Sequence, residues 1–140
     1  MVGSVVLAGR AAAERLMVDR CVIRRPTGEY VTDPDTHEVF PEFDVIYVGK
    51  CKIATYEAFE QERESAGLTQ IINRVRVDIP VGAAETLPND VVTLLESNDP
   101  MLVGRHYRLT VQAPYKTFAS AYRVLAEINV GMEVPEWQGE

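Results

Sequence analysis

Val77-Asp78-Ile79-Pro80-Val81-Gly82, then Leu87-Pro88-Asn89-Asp90-Val91-Val92-Thr93-Leu94, then Ser97-Asn98-Asp99-Pro100, then Leu102-Val103-Gly104-Arg105-His106-Tyr107-Arg108-Leu109-Thr110-Val111: this succession, inside residues 74–130, decides the fold. Short apolar runs are cut at regular intervals by Pro, Gly, Asn and Asp. Those residues pre-set turns, and runs of such length between them read as strands of a small barrel or sandwich. Val91, Val92 and Thr93 are β-branched and suit a pleated surface. Tyr107, Leu109 and Val111 alternate with His106, Arg108 and Thr110, a period of two that sends one set inward.

The same reading extends in both directions. Ile71, Val75, Val77 and Ile79 share one side of a strand closed by Pro80. Residues 44–53 form another, with Val45, Tyr47, Gly49, Cys51 and Ile53 on one side. Cys21-Val22-Ile23-Arg24 is a first strand, ended by a turn at Pro26-Thr27-Gly28. Downstream, residues 118–130 carry two periods. Phe118, Tyr122, Leu125 and Asn129 keep helical spacing; Tyr122, Val124, Ala126, Ile128 and Val130 keep strand spacing. Strand is favoured, because the end is β-branched and a barrel needs its last strand paired. Residues 4–18 read as a helix, capped by Ser4 and rich in Ala, with Leu7, Ala11 and Leu16 or Met17 as its docking stripe. The expected chain is one mainly β domain: a small β-barrel or sandwich of five to six antiparallel strands with an N-terminal helix. The helix spans 4–18, the barrel 19–130 with long acidic loops at 26–44 and 55–68, and a flexible tail 131–140.

A length of 140 residues suits one domain and needs no staples. A net charge of −7 argues against gripping nucleic acid by its phosphates or lying on an anionic membrane. Nothing in the sequence reads as a membrane span or a secretion signal, so a cytoplasm is the expected place of synthesis. Cys21 and Cys51 are then reduced, as small core residues.

Charge is unevenly placed. Residues 26–44 hold Glu29, Asp33, Asp35, Glu38, Glu42 and Asp44 and no Lys or Arg. Residues 55–68 hold Glu57, Glu60, Glu62 and Glu64 against Arg63. Together they carry −9, so the remainder is slightly positive at +2. Both connections are long for adjacent strands, and loops of that size are functional or solvated. If the first three strands form a meander, the two acidic segments leave the barrel at opposite ends.

Candidate chemistry is sparse. Asp33-Pro34-Asp35 with Glu38 starts like a calcium loop, but Glu38 and Asp44 stand where that loop needs Gly and Glu. A tight turn at residues 33–36 within a small hairpin fits better. The two histidines, His37 and His106, have no nucleophile beside them in a recognisable spacing, and no glycine-rich phosphate loop is present. His106 is expected to face solvent or a neighbouring subunit. The pairs Arg24-Arg25 and Arg74, Arg76 fit ion pairing with acids of a neighbour, with contact to DNA as the alternative. The chain reads as a non-enzyme with no cofactor and no metal.

Four features together resemble the head-to-tail stopper, or head-closure, proteins of siphovirus-type tailed phages, in the form common in phages of actinobacteria. A helix ending Arg15-Leu16-Met17 leads into Asp19-Arg20-Cys21-Val22-Ile23. Arg25-Pro26-Thr27-Gly28 is followed by Thr32-Asp33-Pro34-Asp35-Thr36. Then come Tyr47-Val48-Gly49-Lys50-Cys51-Lys52-Ile53 and Ser97-Asn98-Asp99-Pro100 with Leu102-Val103-Gly104-Arg105. An Ala-rich strand with Tyr122-Arg123-Val124 closes the pattern, which spans residues 10–130.

The resemblance implies a structural virion protein of the phage neck. It implies a ring of six subunits, or of twelve, that closes the DNA channel after packaging. Its partners would be copies of itself, the portal-adaptor ring and the tail terminator or tail tube, with genomic DNA passing through unbound and no membrane. Its place would be the virion neck, after assembly in the host cytoplasm. Glu57, Glu60, Glu62, Arg63 and Glu64 would line the channel, while Glu29, Asp33, Asp35, His37, Glu38 and Glu42 would contact a neighbour. An acidic lumen repels phosphate, so DNA would slide. The alternatives are an adaptor or tail terminator of the same neck, or a non-viral acidic binding module of a cytoplasm.

Overall fold

The computed structural model describes residues 2–55, 74–111, 119–128, 134–137 and 139. Helix α1 (Val2–Arg15) precedes six strands: β1 (Asp19–Thr32), β2 (Val39–Thr55), β3 (Arg74–Ile79), β4 (Val91–Glu96), β5 (His106–Leu109) and β6 (Tyr122–Ile128). Every pairing is antiparallel, in the order β1-β2-β3-β6-β5-β4, and β4 returns to β1 to close a barrel. Closure leaves no free sheet edge along the paired segments. The small β-barrel with one N-terminal helix is the expected class.

Alternation explains the core. Cys21, Ile23, Cys51, Val77, Ile79, Val92, Leu94, Tyr107, Leu109, Val124 and Ala126 fill the interior, each two residues from the next on its strand. Val77 lies opposite Val124, and Tyr107 opposite Ile128. Residues 122–128 therefore bridge two strands at once, and the strand period wins over the helical one. The two cysteines are free and buried in this core, as small apolar residues. β5 stops at Leu109, and Val111 is exposed beyond it. Ile71, counted with the third strand, lies outside the described residues.

Three expectations need correction. First, residues 26–44 are not a loop. β1 runs on to Thr32 and β2 starts at Val39, so the segment is a two-stranded ribbon projecting beyond the closed barrel. Pro26-Thr27-Gly28 does not end the strand. The register shifts by two residues between Pro26–Phe43 and Tyr30–Pro41, and Gly28 takes φ 88°, so the turn residues are absorbed as a bulge.

Second, the docking stripe of α1 is on the other side. Val6, Gly9, Arg10, Ala13 and Glu14 are half-buried and Met17 is buried, while Leu7, Ala11 and Leu16 are exposed. Small and polar groups hold the helix. A Cβ on Gly9 would lie 3.9 Å from Ser120 Cβ, Arg10 Nε donates to the Ala119 carbonyl at 3.2 Å, and Lys50 pairs with Glu14 at 2.8 Å. The helix also starts before Ser4, which is no cap, and ends at Arg15 in a turn tightened by Leu16 N–H to Ala13 O (3.1 Å) and Met17 N–H to Glu14 O (3.1 Å).

Third, residues 134–137 are not loose. Val22, Arg24, Val91 and Thr93 face outward from β1 and β4, yet all are buried. Val134, Pro135 and Trp137 are half-buried against this face, and the Arg24 guanidinium donates to the Pro135 carbonyl at 2.8 Å.

Candidate functional site: an acidic arm on an arginine anchor

The ribbon is built for reach. Its tip is a compact turn: Asp33 N–H donates to Glu38 O and His37 N–H to Asp33 O, both at 2.8 Å. The Asp33 carboxylate accepts from Asp35 N–H at 2.8 Å, an Asx turn. His37 takes the left-handed conformation, φ 60°, that reverses the chain. The turn expected at residues 33–36 is present, and its lead carboxylate is spent on backbone. Thr27 Oγ1 accepts from Glu29 N–H (3.2 Å) and donates to Glu42 O (3.4 Å), which ties the bulge across the ribbon.

Opposite residues of an antiparallel pair share a face. Tyr30 with Pro41 and Thr32 with Val39 therefore make one side of the arm, with Val31 and Phe40 on the other. Tyr30, Val31 and Val39 are exposed. A two-stranded ribbon buries little of itself and is marginal alone in water. Here it is held at the base.

That base is a pair of adjacent arginines. Arg25 makes a fork to Asp90, Nε to Oδ1 at 2.9 Å and Nη2 to Oδ2 at 3.1 Å, and reaches the Glu85 carbonyl at 3.0 Å. Asp90 is buried and also accepts Leu87 N–H at 2.8 Å. The bond to Asp90 is the main reason the Arg25 pKa is raised. Arg24, one residue earlier, points the opposite way along the pleat and is buried. Its guanidinium lies 5.6 Å from the Phe43 ring centre and 5.9 Å from that of Trp137. Its Nη2 donates to Thr93 Oγ1 at 3.0 Å, and Thr93 Oγ1 lies 2.7 Å from His106 Nδ1. The hydroxyl accepts from Arg24 and shares a second hydrogen bond with the His106 ring nitrogen. Burial first, and Arg24 second, lower the His106 pKa below its ordinary 6.5.

Six candidate contact residues, Glu29, Asp33, Asp35, His37, Glu38 and Glu42, all lie on the arm. Glu57, Glu60, Glu62, Arg63 and Glu64 lie outside the described residues. The chain does leave β2 at Thr55, the opposite end from the arm, as a meander requires. His106 is half-buried beside Arg24 and Thr93. Arg25 and Arg76 pair with acids of their own chain, Asp90 and Asp78, whereas Arg24 bonds a carbonyl and a hydroxyl instead. Sequence reasoning missed the Arg24 anchor. The signal was Trp137, two residues after Pro135, in a stretch otherwise read as tail.

A family model matches residues 9–127, almost the whole barrel and arm. The chain belongs to the DUF6093 family, a family of unknown function. No curated protein matches it. The solution structure of protein SF1141 from Shigella flexneri 2a is similar in fold, with a TM-score of 0.54 at 15% identity, over 82% of this chain and 95% of that one. At that identity the likeness is to the fold of this DUF6093 member alone. Among the described residues, no group of three His, Cys, Asp or Glu is placed to hold a metal ion, and no helix is long and apolar enough to cross a membrane.

Proposed function

We propose that this protein is a structural component of a phage neck, a head-to-tail stopper that assembles as a ring between the portal-adaptor complex and the tail. The observation that carries the reading is the arm. A closed barrel has no sheet edge to offer a neighbour, yet this chain extends two of its strands past the closed region. It then loads the extension with six acids and exposed Tyr30, Val31 and Val39. Such a projection serves contact between chains better than catalysis. The stopper resemblance of the sequence names the assembly, and the order of elements in the barrel is compatible with it.

In this reading the acidic stretch at 55–68 faces the channel and the arm faces a neighbour. Channel closure is steric, because a wall of Glu57, Glu60, Glu62 and Glu64 does not hold phosphate. The test is co-sedimentation with a purified portal-adaptor complex of a siphovirus carrying this chain. Binding in a fixed ring stoichiometry is expected. A chain that never docks sinks the neck reading and favours a cytoplasmic binding module.

A further inference from the structure

The outward face of α1 has no partner among the described residues. Val5 is 73% exposed, Leu7 63% and Leu16 60%, and Ala8, Ala11 and Ala12 lie exposed among them. Arg15 is the only charged residue on that side. A run of aliphatic side chains turned to solvent marks a contact surface. The inward face already holds the barrel, so this stripe is not needed for the fold.

We propose that the occupant of this face is the arm of a second copy of the chain, seated head to tail. The inference deepens the neck reading and rests on it for its setting. Three observations converge on a second copy. The arm has a matching apolar side, where Tyr30 (70% exposed) and Val39 (53% exposed) sit beside Pro41 and Thr32. The charges are complementary. The arm carries six acids and no cation, whereas the outward face of α1 carries Arg15 and no acid. Such a pattern sets orientation and register between partners.

Placement supplies the third. α1 enters β1 at Asp19, and the arm's tip follows Thr32 at the far end of the same strand. Fourteen extended residues separate the two by roughly 40 Å of chain. An arm stiffened by cross-strand bonds cannot fold back onto its own helix. It reaches the helix of the next copy. The two faces differ, so each copy offers one and accepts one, the heterologous contact that generates rings when the rotation closes.

The test uses two double variants and their mixture, read by sedimentation of the intact chain. Leu7→Glu with Leu16→Glu breaks the accepting face at exposed positions where Glu suits a helix. Tyr30→Ser with Val39→Ser breaks the arm. The wild type is expected to associate with rising concentration, and each variant to remain monomeric with an unchanged barrel melt. Mixed in equal amounts, the variants should form pairs and nothing larger, since one intact arm then meets one intact helix. Arg15→Glu alone should weaken wild-type association about tenfold, an effect that falls with added salt. A wild type that stays monomeric at every concentration, a helix variant that assembles normally, or a mixture that does not pair overturns the inference. The neck reading fails separately: a chain that assembles through this contact but never docks on the portal-adaptor complex keeps the contact and loses the neck.

Discussion

Gly49 shows what a single residue does for the barrel. Tyr47 and Gly49 are two apart on β2, so both point inward, and the Tyr47 ring lies across the glycine. A Cβ on Gly49 would lie 2.6 Å from the Tyr47 hydroxyl and 2.8 Å from Cζ. The hydroxyl donates to the Lys50 carbonyl at 2.7 Å, and burial pushes the Tyr47 pKa up to about 12. Gly49→Ala must displace the ring and break that bond. The expected loss is about 1–2 kcal/mol, from overpacking and one hydrogen bond. Chemical denaturation measures it, and Gly49→Ala made in a Tyr47→Ala background, where no ring meets the new Cβ, should cost little further, which checks the cause. The Tyr-x-Gly-x-Cys spacing was plain in the sequence as strand alternation, but its steric reason was not. Alternation says which way a side chain points, not whether it then folds over its neighbour.

At the scale of elements, the arm and the anchoring segment 134–137 were the hardest to read. Turn residues such as Pro26 and Gly28 signal a break by local preference, and the ribbon outvotes that preference through cross-strand bonds on both sides of a bulge. The site acids were legible as a charge cluster, yet their place on a rigid strand pair required the register. The anchoring segment has a pH dependence of its own. Thr93 Oγ1 bonds the His106 ring on one side and the Arg24 guanidinium on the other. β4 brings Thr93 and β1 brings Arg24 to this histidine, and burial first, then the Arg24 charge, disfavour imidazolium. A histidine with a lowered folded pKa is protonated first in the unfolded chain, so stability is full above pH 6.5 and falls as pH drops through 6.5 toward the folded value. Thermal melts at stepped pH should show this decline, and His106→Gln should flatten it. An unchanged slope in that variant would assign the decline to other groups.

Across the whole molecule, the sequence was most informative where burial imposes a period of two. Val77, Ile79, Tyr107, Leu109, Val124 and Ala126 were readable as sharing one side of their strands, whereas Cys21, Ile23, Val92 and Leu94 lie in runs buried on both faces, where alternation shows no side. Helix orientation was less so, because small residues and Arg10 dock it while larger apolar ones face out. Barrel closure also governs reactivity. Cys51 is sealed in the interior, and its hydrogen bond with Cys21, together with burial, pushes its thiol pKa well up. Native protein is therefore expected to react with a thiol reagent only as fast as it unfolds, whereas denatured protein reacts at once. Rapid labelling of native protein would show the barrel open near β1 and β2.

Residues 134–137 give the chain a schedule. β1 is made early, but its neighbour β4 follows only after residue 90, and Pro135 arrives later still. Until then Arg24 stays hydrated and the outer side of β1 and β4 lies open. A segment made late thus shuts a strand made early. A chain cut short before residue 134 leaves the Arg24 guanidinium without its Pro135 and Trp137 contacts, on the strand from which the arm extends.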